Sequence, residues 1–437
     1  MPHTSPHNHP DPTEPAAARP HSPLIGLALP IYVPSIIWAT SYGALTAVMV
    51  LAALKVGFSP TFASLVAGLS GLVGVLTGPW IGRQTSRFGD RSAFMAGTVS
   101  AVGSLLLALV ALGFPGRLWA QGLYLLAMLI LSVSNNIWSL ARQSYIAESV
   151  PMRWRARALS MMGGMQRMGQ VIGPAVGSVA IAWWSYPGSF WAQIVLAVVA
   201  MGFVVAFTLP TPTQLAETSE SGGTTSSAIS APKRDRADRR STITLAVAVI
   251  ALTIVRANRN VIVPLWGSQL GIAPHAINLT FAAGAVMDAA VFYPSGRLSD
   301  RFGRRASLIP TLAIMGLGFL GMGLWRSVTG FVVCACIIGL GNGFGAGIVM
   351  TMGADLSPDV DRSTFLGMWQ SIQQAGMTAG PFIVSGMVAG FGVGASVWVT
   401  GGVSLAAVIY CLAMVPRAYA RMGVDDRGRP LDQASTI

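Results

Sequence analysis

Four arginines and one aspartate stand inside stretches of chain that are otherwise apolar: Arg142, Arg167, Arg256, Arg259 and Asp288. A guanidinium keeps its proton at physiological pH and offers five N–H donors in a fixed fork, so it suits an anionic or strongly polar partner. Arg256 and Arg259 are three apart and share one face of any helix. With Asn258 and Asn260 they make RANRN, the most polar stretch in any apolar run. Two readings of the pair stand. One is a binding site for an anionic or polar group; the other is a structural ion pair between one arginine and Asp288. Both hold if the pair opens on binding. Asp288 is the one acid deep in such a run. Burial favours its neutral form and a nearby arginine its charged form, so relative movement would load and release a proton. Arg167, Asn135 and Asn136 complete the set of substrate-binding candidates.

Other chemistry finds little footing. Cys334, Cys336 and Cys411 lie in apolar runs without metal-ligand spacing, and packing explains them. His3, His7 and His9 sit in a Pro- and His-rich N-terminal stretch that reads as a disordered tail, so no metal is expected. A membrane enzyme would need paired acids or a His cluster in the apolar runs, and no phosphate-binding GxxxxGK[ST] loop occurs. The chain is not expected to be an enzyme or to hold a cofactor.

The elements that must position these groups follow from composition. Of 437 residues, 53% are hydrophobic and 10% charged, and the mean hydropathy is +0.60. Soluble domains carry about 25% charged residues, so a water-exposed surface is excluded. Runs long enough to span a bilayer occur at 26–53, 60–82, 92–114, 119–142, 158–182, 189–209, 242–267, 276–298, 306–325, 328–352, 364–389 and 394–416. The domain plan is then a tail at 1–23, a first bundle at 24–209, a Ser-, Thr- and charge-rich linker at 210–241, a second bundle at 242–416, and a tail at 417–437.

Basic residues set the direction. With the N-terminus inside, inner segments hold 21 of the 28 Lys and Arg, whereas outer connections hold only Lys55, Arg117 and Arg326. Both termini are therefore expected in the cytoplasm. The net charge of +12 reads as a topology signal and an attraction to anionic lipids at the inner face, not as nucleic-acid binding.

The halves repeat. GRQTSRFGDR at 82–91 matches GRLSDRFGRR at 296–305 in six of ten positions. At a shifted offset Glu148 aligns with Asp355, Gly169 with Gly376, and Gly173-Pro174 with Gly380-Pro381. Parallel repeats of this kind mark transporters with a site at the repeat interface.

The repeated loop resembles the signature loop of the major facilitator superfamily: Gly, three residues, Asp, a base, any residue, Gly and two bases. The second copy satisfies it with Gly296, Asp300, Arg301, Gly303, Arg304 and Arg305. The first keeps Gly82, Arg83, Arg87, Gly89 and Arg91, but has Ser86 for the acid and Asp90 for a base. The resemblance, from about Leu24 to Pro416, implies an all-α integral membrane fold of twelve helices in two six-helix bundles. It implies that helices one and seven line a central cavity. It also implies latches that hold the outward-open state. Asp300 can accept from helix N-terminal amides of the facing bundle, joined by Asp355 and Arg362, with Glu148 and Arg157 on the other side. Gly169, Gly173, Pro174 and Gly177 in helix five resemble the antiporter motif of drug-exporting members, although Ser160 and Ser178 replace its first and last glycines. Gly376, Gly380 and Pro381 repeat it in helix eleven. The arginine such antiporters place early in helix four is Met128 here.

The expectation is a monomeric secondary transporter of the cell membrane, working by alternating access and exporting small organic compounds on the proton gradient. The alternatives are proton-coupled or exchange uptake of an anionic metabolite, and flipping of a lipid-like substrate.

Overall fold

The computed structural model describes residues 27–150, 152–207, 238–345, 347–358 and 362–425. Its elements are helices, because in hydrocarbon a long single segment satisfies its backbone groups internally only as a helix. Helix α1 (Ala28–Val56) opens with a π-helical turn over Ala28–Tyr32. Then come α2 (Pro60–Phe88), α3 (Asp90–Gly113) and α4 (Leu118–Ser149). The stretch Met152–Phe207 breaks at Trp184 and Ser185, giving α5 (152–183) and α6 (186–207). Next are α7 (Arg239–Gln269), α8 (Pro274–Phe302) and α9 (Arg305–Leu324). Helix α10 spans Val328–Leu356. Finally Arg362–Arg421 breaks at Gly392, φ +80°, into α11 (362–391) and α12 (393–421).

Two features depart from the reading of the sequence. Several helices outrun their apolar stretch, as α2 does to Phe88, α4 to Ser149 and α8 to Phe302. Leaving the hydrocarbon gives the backbone no reason to unwind. In addition, α10 is not continuous: its helical run ends at Phe344 and resumes at Ile348, with Gly347 at φ +80°. The segment GLGNGFGAG at 339–347 explains the break, since each glycine weakens a helix by about 1 kcal/mol relative to alanine.

The start of α1 and the end of α12 lie at one end of the bundle, here the terminus end, and the short connections after α1, α3, α5, α7, α9 and α11 at the other, the far end. The halves meet at the far end. Ser178 Oγ donates to the His275 carbonyl at 2.7 Å, Asn278 Nδ2 to the Pro174 carbonyl at 2.9 Å, and Ser385 Oγ to the Thr61 carbonyl at 3.0 Å. An apolar core runs through this region from Trp38 and Leu45 to Trp266, Phe281 and Val384. Towards the terminus end α2 and α11 part. A Cβ on Gly71 would lie 3.4 Å from Thr378, whereas one on Gly78 or Gly367 would meet nothing within 4 Å. A cavity therefore opens between the halves on the terminus side.

Candidate functional site

Helix α7 reaches the middle of the bundle with Arg256 and Arg259 one turn apart. Arg259 Nη1 lies 3.9 Å from Asp288 Oδ2 on α8, and these side chains are 11% and 21% exposed. This is a loose ion pair, open to the cavity. Phe281 lies under the Arg259 guanidinium at 5.4 Å. Asp288 Oδ2 also accepts a short hydrogen bond from Asn342 Nδ2 of α10. Its Oδ1 has no partner among the described residues.

Arg256 exploits the break in α10. Its Nη2 donates to the Asn342 carbonyl at 3.3 Å, in the last turn before the helix stops. That carbonyl also accepts from Gly345 N at 3.3 Å, and a cation at this helix end complements the dipole. Gly345 makes room, because a Cβ there would strike Arg256 Nη2. Arg256 Nε is buried and unpartnered among the described residues. Arg167, on α5 of the other half, lies with its guanidinium 4.6 Å from the Phe292 ring of α8. Phe292 is one helical turn from Asp288 on α8, so Arg167 comes to the same stretch of that helix. On the same side of α5, Gly163 and Gly164 face open space. The site thus gathers Arg167, Arg256, Arg259, Asp288 and Asn342 at the junction of the two halves.

Asn342 is the member that the reading of the sequence missed. A lone amide amid glycines in an apolar run was the available signal. The sequence expectation also passed over the buried Arg142 of α4 as a site residue. It is 4% exposed and donates through Nε to the Trp138 carbonyl at 3.2 Å. With its amide oxygen turned towards the guanidinium, Gln166 of α5 accepts from Nη2 and Nη1 at 2.6 and 2.9 Å. Asn135 accepts from Trp38 Nε1 at 3.1 Å, which ties α4 to α1. The neighbouring Asn136 is half-buried on the same helix.

At the signature loops Gly89 and Gly303 take φ of +80° and +92° with extended ψ of 159° and 173°, a conformation essentially confined to glycine. Gly82 and Gly296 are helical. Asp355 faces its own half. It accepts from Arg304 Nε at 2.8 Å and Nη2 at 3.2 Å, and from the Tyr419 hydroxyl at 3.0 Å. These bonds join the ends of α9, α10 and α12. In the first copy Arg91 Nη2 donates to the Val205 carbonyl at 3.2 Å, and Asp90 opens α3. Arg83, Arg301 and Arg305 are exposed or half-buried at the same end. The side chains of Arg87, Glu148, Arg157, Asp300 and Arg362 lie outside the described residues.

The glycines of α5 make a packing seam. A Cβ on Gly173 would fall 2.6 Å from the Thr40 carbonyl of α1, and those of Gly169 and Gly177 would also collide with α1. Gly380 is set against α7 in the same way, 2.8 Å from Ala257 Cβ, and Gly376 meets Thr253. Pro174 and Pro381 lie next to these seams, inside α5 and α11. Each half therefore uses one motif for one helix pair, α5 on α1 and α11 on α7.

The sequence pattern of the Major Facilitator Superfamily matches residues 32–255 and 245–432. The MFS-type transporter YfiU of Bacillus subtilis is 22% identical over 388 residues, 72% of this chain and 70% of that protein. The multidrug resistance protein MdtH of Yersinia pestis is 22% identical over 319 residues, 72% of this chain and 74% of that one. The crystal structure of a D-xylose–proton symporter superposes with a TM-score of 0.66 at 18% identity, covering 94% of this chain and 100% of that one. With the pattern spanning both halves and this fold beneath it, the chain is a multi-pass membrane protein of the Major Facilitator Superfamily.

Proposed function

We propose that the protein is a proton-coupled secondary transporter of small organic solutes. The solute binds at the central site, Asp288 carries the proton, and the halves rock about that site. The observation that carries this reading is the Arg259–Asp288 pair, 3.9 Å apart and partly exposed to the cavity. A pair this loose can be broken by protonation while the Asn342 bond to Asp288 is kept, and Arg167 brings the opposite half to the same stretch of α8. Both termini are cytoplasmic in this reading, as the basic residues require, so the cavity faces the cytoplasm. Export has the likeness to MdtH in its favour. The glycine motif adds nothing to that direction, because both halves use it for packing.

The test compares small molecules inside and outside cells with and without the full-length protein, by mass spectrometry, with and without a protonophore. Compounds whose distribution depends on the protein are expected, with the dependence lost under the protonophore and in Asp288→Asn. An unchanged distribution for every compound would sink the transport reading. An Asp288→Asn variant that still responds to the proton gradient would remove Asp288 from it.

A further inference from the structure

The charges at the centre do not balance. Three arginines gather about one carboxylate: Arg259 pairs with Asp288, Arg256 bonds the carbonyl of the same Asn342 whose amide bonds Asp288, and Arg167 lies on Phe292, one turn along α8 from Asp288. The helices beside α8 do not restore the balance: α10 adds Cys336 near Arg259 and Asp355, which is taken by Arg304, α5 adds only arginines, α1 has only Lys55 at its far end and α9 only Arg305 at its start. An arginine does not shed its proton to escape burial, so two positive charges at mid-span call for an acceptor. The faces of two guanidiniums are already taken, Arg167 by Phe292 and Arg259 by Phe281. That leaves their N–H edges for an incoming acceptor, while Arg256 also holds a buried Nε without a partner among the described residues. Gly163 and Gly164 keep the space on the α5 side open.

We infer that the transported solute is an organic anion, and that it travels in the same direction as the proton. This rests on the reading of the central cavity as the transport site. The anionic group, a carboxylate, sulfonate or phosphate, bonds the edges of Arg256 and Arg259, with Arg167 contributed by the opposite half. The second part follows from linkage. Ionised Asp288 already occupies Arg259, so it competes with the incoming anion. Protonation of Asp288 frees Arg259 and favours anion binding, and by reciprocity the bound anion favours protonation. The O–H bond forms on Asp288 as the ion pair breaks, and the solute carboxylate replaces the aspartate on the guanidinium. Two ligands that favour each other's binding load together and leave together, which is symport. Driven by an inward proton gradient, this is uptake, the reverse of the export suggested by the likeness to MdtH.

The experiment uses the purified full-length protein in proteoliposomes, offered a small-molecule extract of bacterial cells. Mass spectrometry reads what accumulates inside when the outside, or instead the inside, is made acidic. Accumulation confined to anions, and at least about tenfold greater with the acid outside, is the expected result. Neutral or cationic compounds accumulating would overturn the anion inference and leave the transport reading intact. Anions accumulating only with the acid inside would overturn the shared direction. No accumulation under either gradient would remove the transport reading, and this inference with it.

Variants sharpen the result. Arg256→Gln and Arg259→Gln should each cut anion accumulation at least tenfold, with Arg259→Lys retaining part of it. Asp288→Asn imitates the protonated state. It should bind the accumulated anion several-fold more tightly while losing the dependence on the pH gradient, which a merely structural role would not produce. Weaker binding by Asp288→Asn, in protein whose melting temperature is unchanged, would overturn the exchange between aspartate and solute.

Discussion

The two halves share a skeleton and differ in what fills its middle. In the first half Trp38 of α1 and Trp138 of α4 stack at 4.1 Å and 11°, both essentially buried. Phe94 of α3 lies edge-on to Trp138 at 4.7 Å, and Trp138 Nε1 donates to Thr98 Oγ1 at 3.0 Å. Every polar handle on that stack has a partner, so the block has one arrangement. In the second half the middle, between α7, α8 and α10, instead holds Arg256, Arg259, Asp288 and Asn342, with a donor and an acceptor left over. Surplus hydrogen-bonding capacity is expensive inside a membrane and persists where something else is meant to use it. The skeleton can stay constant while the chemistry moves into one half.

Breaking the shared skeleton should have the largest effect, and it should be symmetric. Gly173→Leu and Gly380→Leu each drive a side chain into the backbone or side chains of the partner helix. Both should reduce the yield of monodisperse protein at least tenfold on size-exclusion chromatography. Gly163→Leu, which meets nothing within 4 Å, should purify normally. If Gly380→Leu folded as well as the unaltered protein while Gly173→Leu did not, the equivalence of the two seams would be wrong.

The middles should respond in opposite ways. Trp138→Ala empties a packed aromatic site, and a loss of about 3–5 kcal/mol is expected, read as a lowered melting temperature in detergent. Asp288→Asn keeps the shape and the amide contact of Asn342. It should change melting little while abolishing gradient-driven transport. Strong destabilisation by Asp288→Asn would mean that the charge cluster holds the fold together as the tryptophan stack does.

The signature loops give the same contrast on a smaller scale. Asp90 and Arg304 occupy equivalent positions at the start of α3 and α9. An acid in the first turn of a helix suits its dipole and a base does not, and Arg304 is offset by Asp355, itself bonded to Tyr419. The departure of the first loop from the family pattern is thus a change in how a helix start is neutralised. Arg304→Gln leaves a half-buried carboxylate with one hydroxyl, and should lower stability by about 2 kcal/mol, somewhat below the cost of breaking a fully buried pair. Tyr419→Phe should cost about 1 kcal/mol. Equal melting of Arg304→Gln and the unaltered protein would show that the cluster contributes nothing.

Spans, repeat and mid-helix breaks were legible because each is written in local composition. The connections expected at 183–188 and 390–393 hold the observed kinks at Ser185 and Gly392. The break in α10 was also written, in GLGNGFGAG, but a hydropathy count is insensitive to glycine spacing. Pairings were less legible. Arg256, Arg259 and Asp288 stand out as charges in apolar runs, yet which arginine lies against the aspartate depends on how α7 and α8 rotate. Asn342 could not be attached to Asp288 without knowing that α10 packs beside α8. Asp355 looked available to the facing half because sequence places it at the terminus end, and only packing turns it towards Arg304.

The smallest expected effect lies where the two halves begin. Helix α7 is capped by Asp238, whose carboxylate accepts from Ser241 N at 2.9 Å and from the Ser241 hydroxyl. That hydroxyl also faces the Ala418 carbonyl of α12 at 2.9 Å. The start of α1 has no side-chain cap. The Ser241 hydroxyl and amide hold the Asp238 carboxyl below the usual aspartate range. A carboxyl whose folded pKa is depressed contributes stability above its unfolded value, about 3.9, and loses it as the pH falls through the folded value. Asp238→Ala should therefore cost about 0.5–1 kcal/mol at pH 7, towards the low end for an exposed cap. The difference from the unaltered protein should hold down to about pH 5 and shrink below about pH 4, measured as paired melting curves across that range. A deficit that persisted undiminished at the lowest pH would place the contribution of Asp238 in packing rather than in its charge. The second half would then owe its firmer start to the Ser241–Ala418 contact alone.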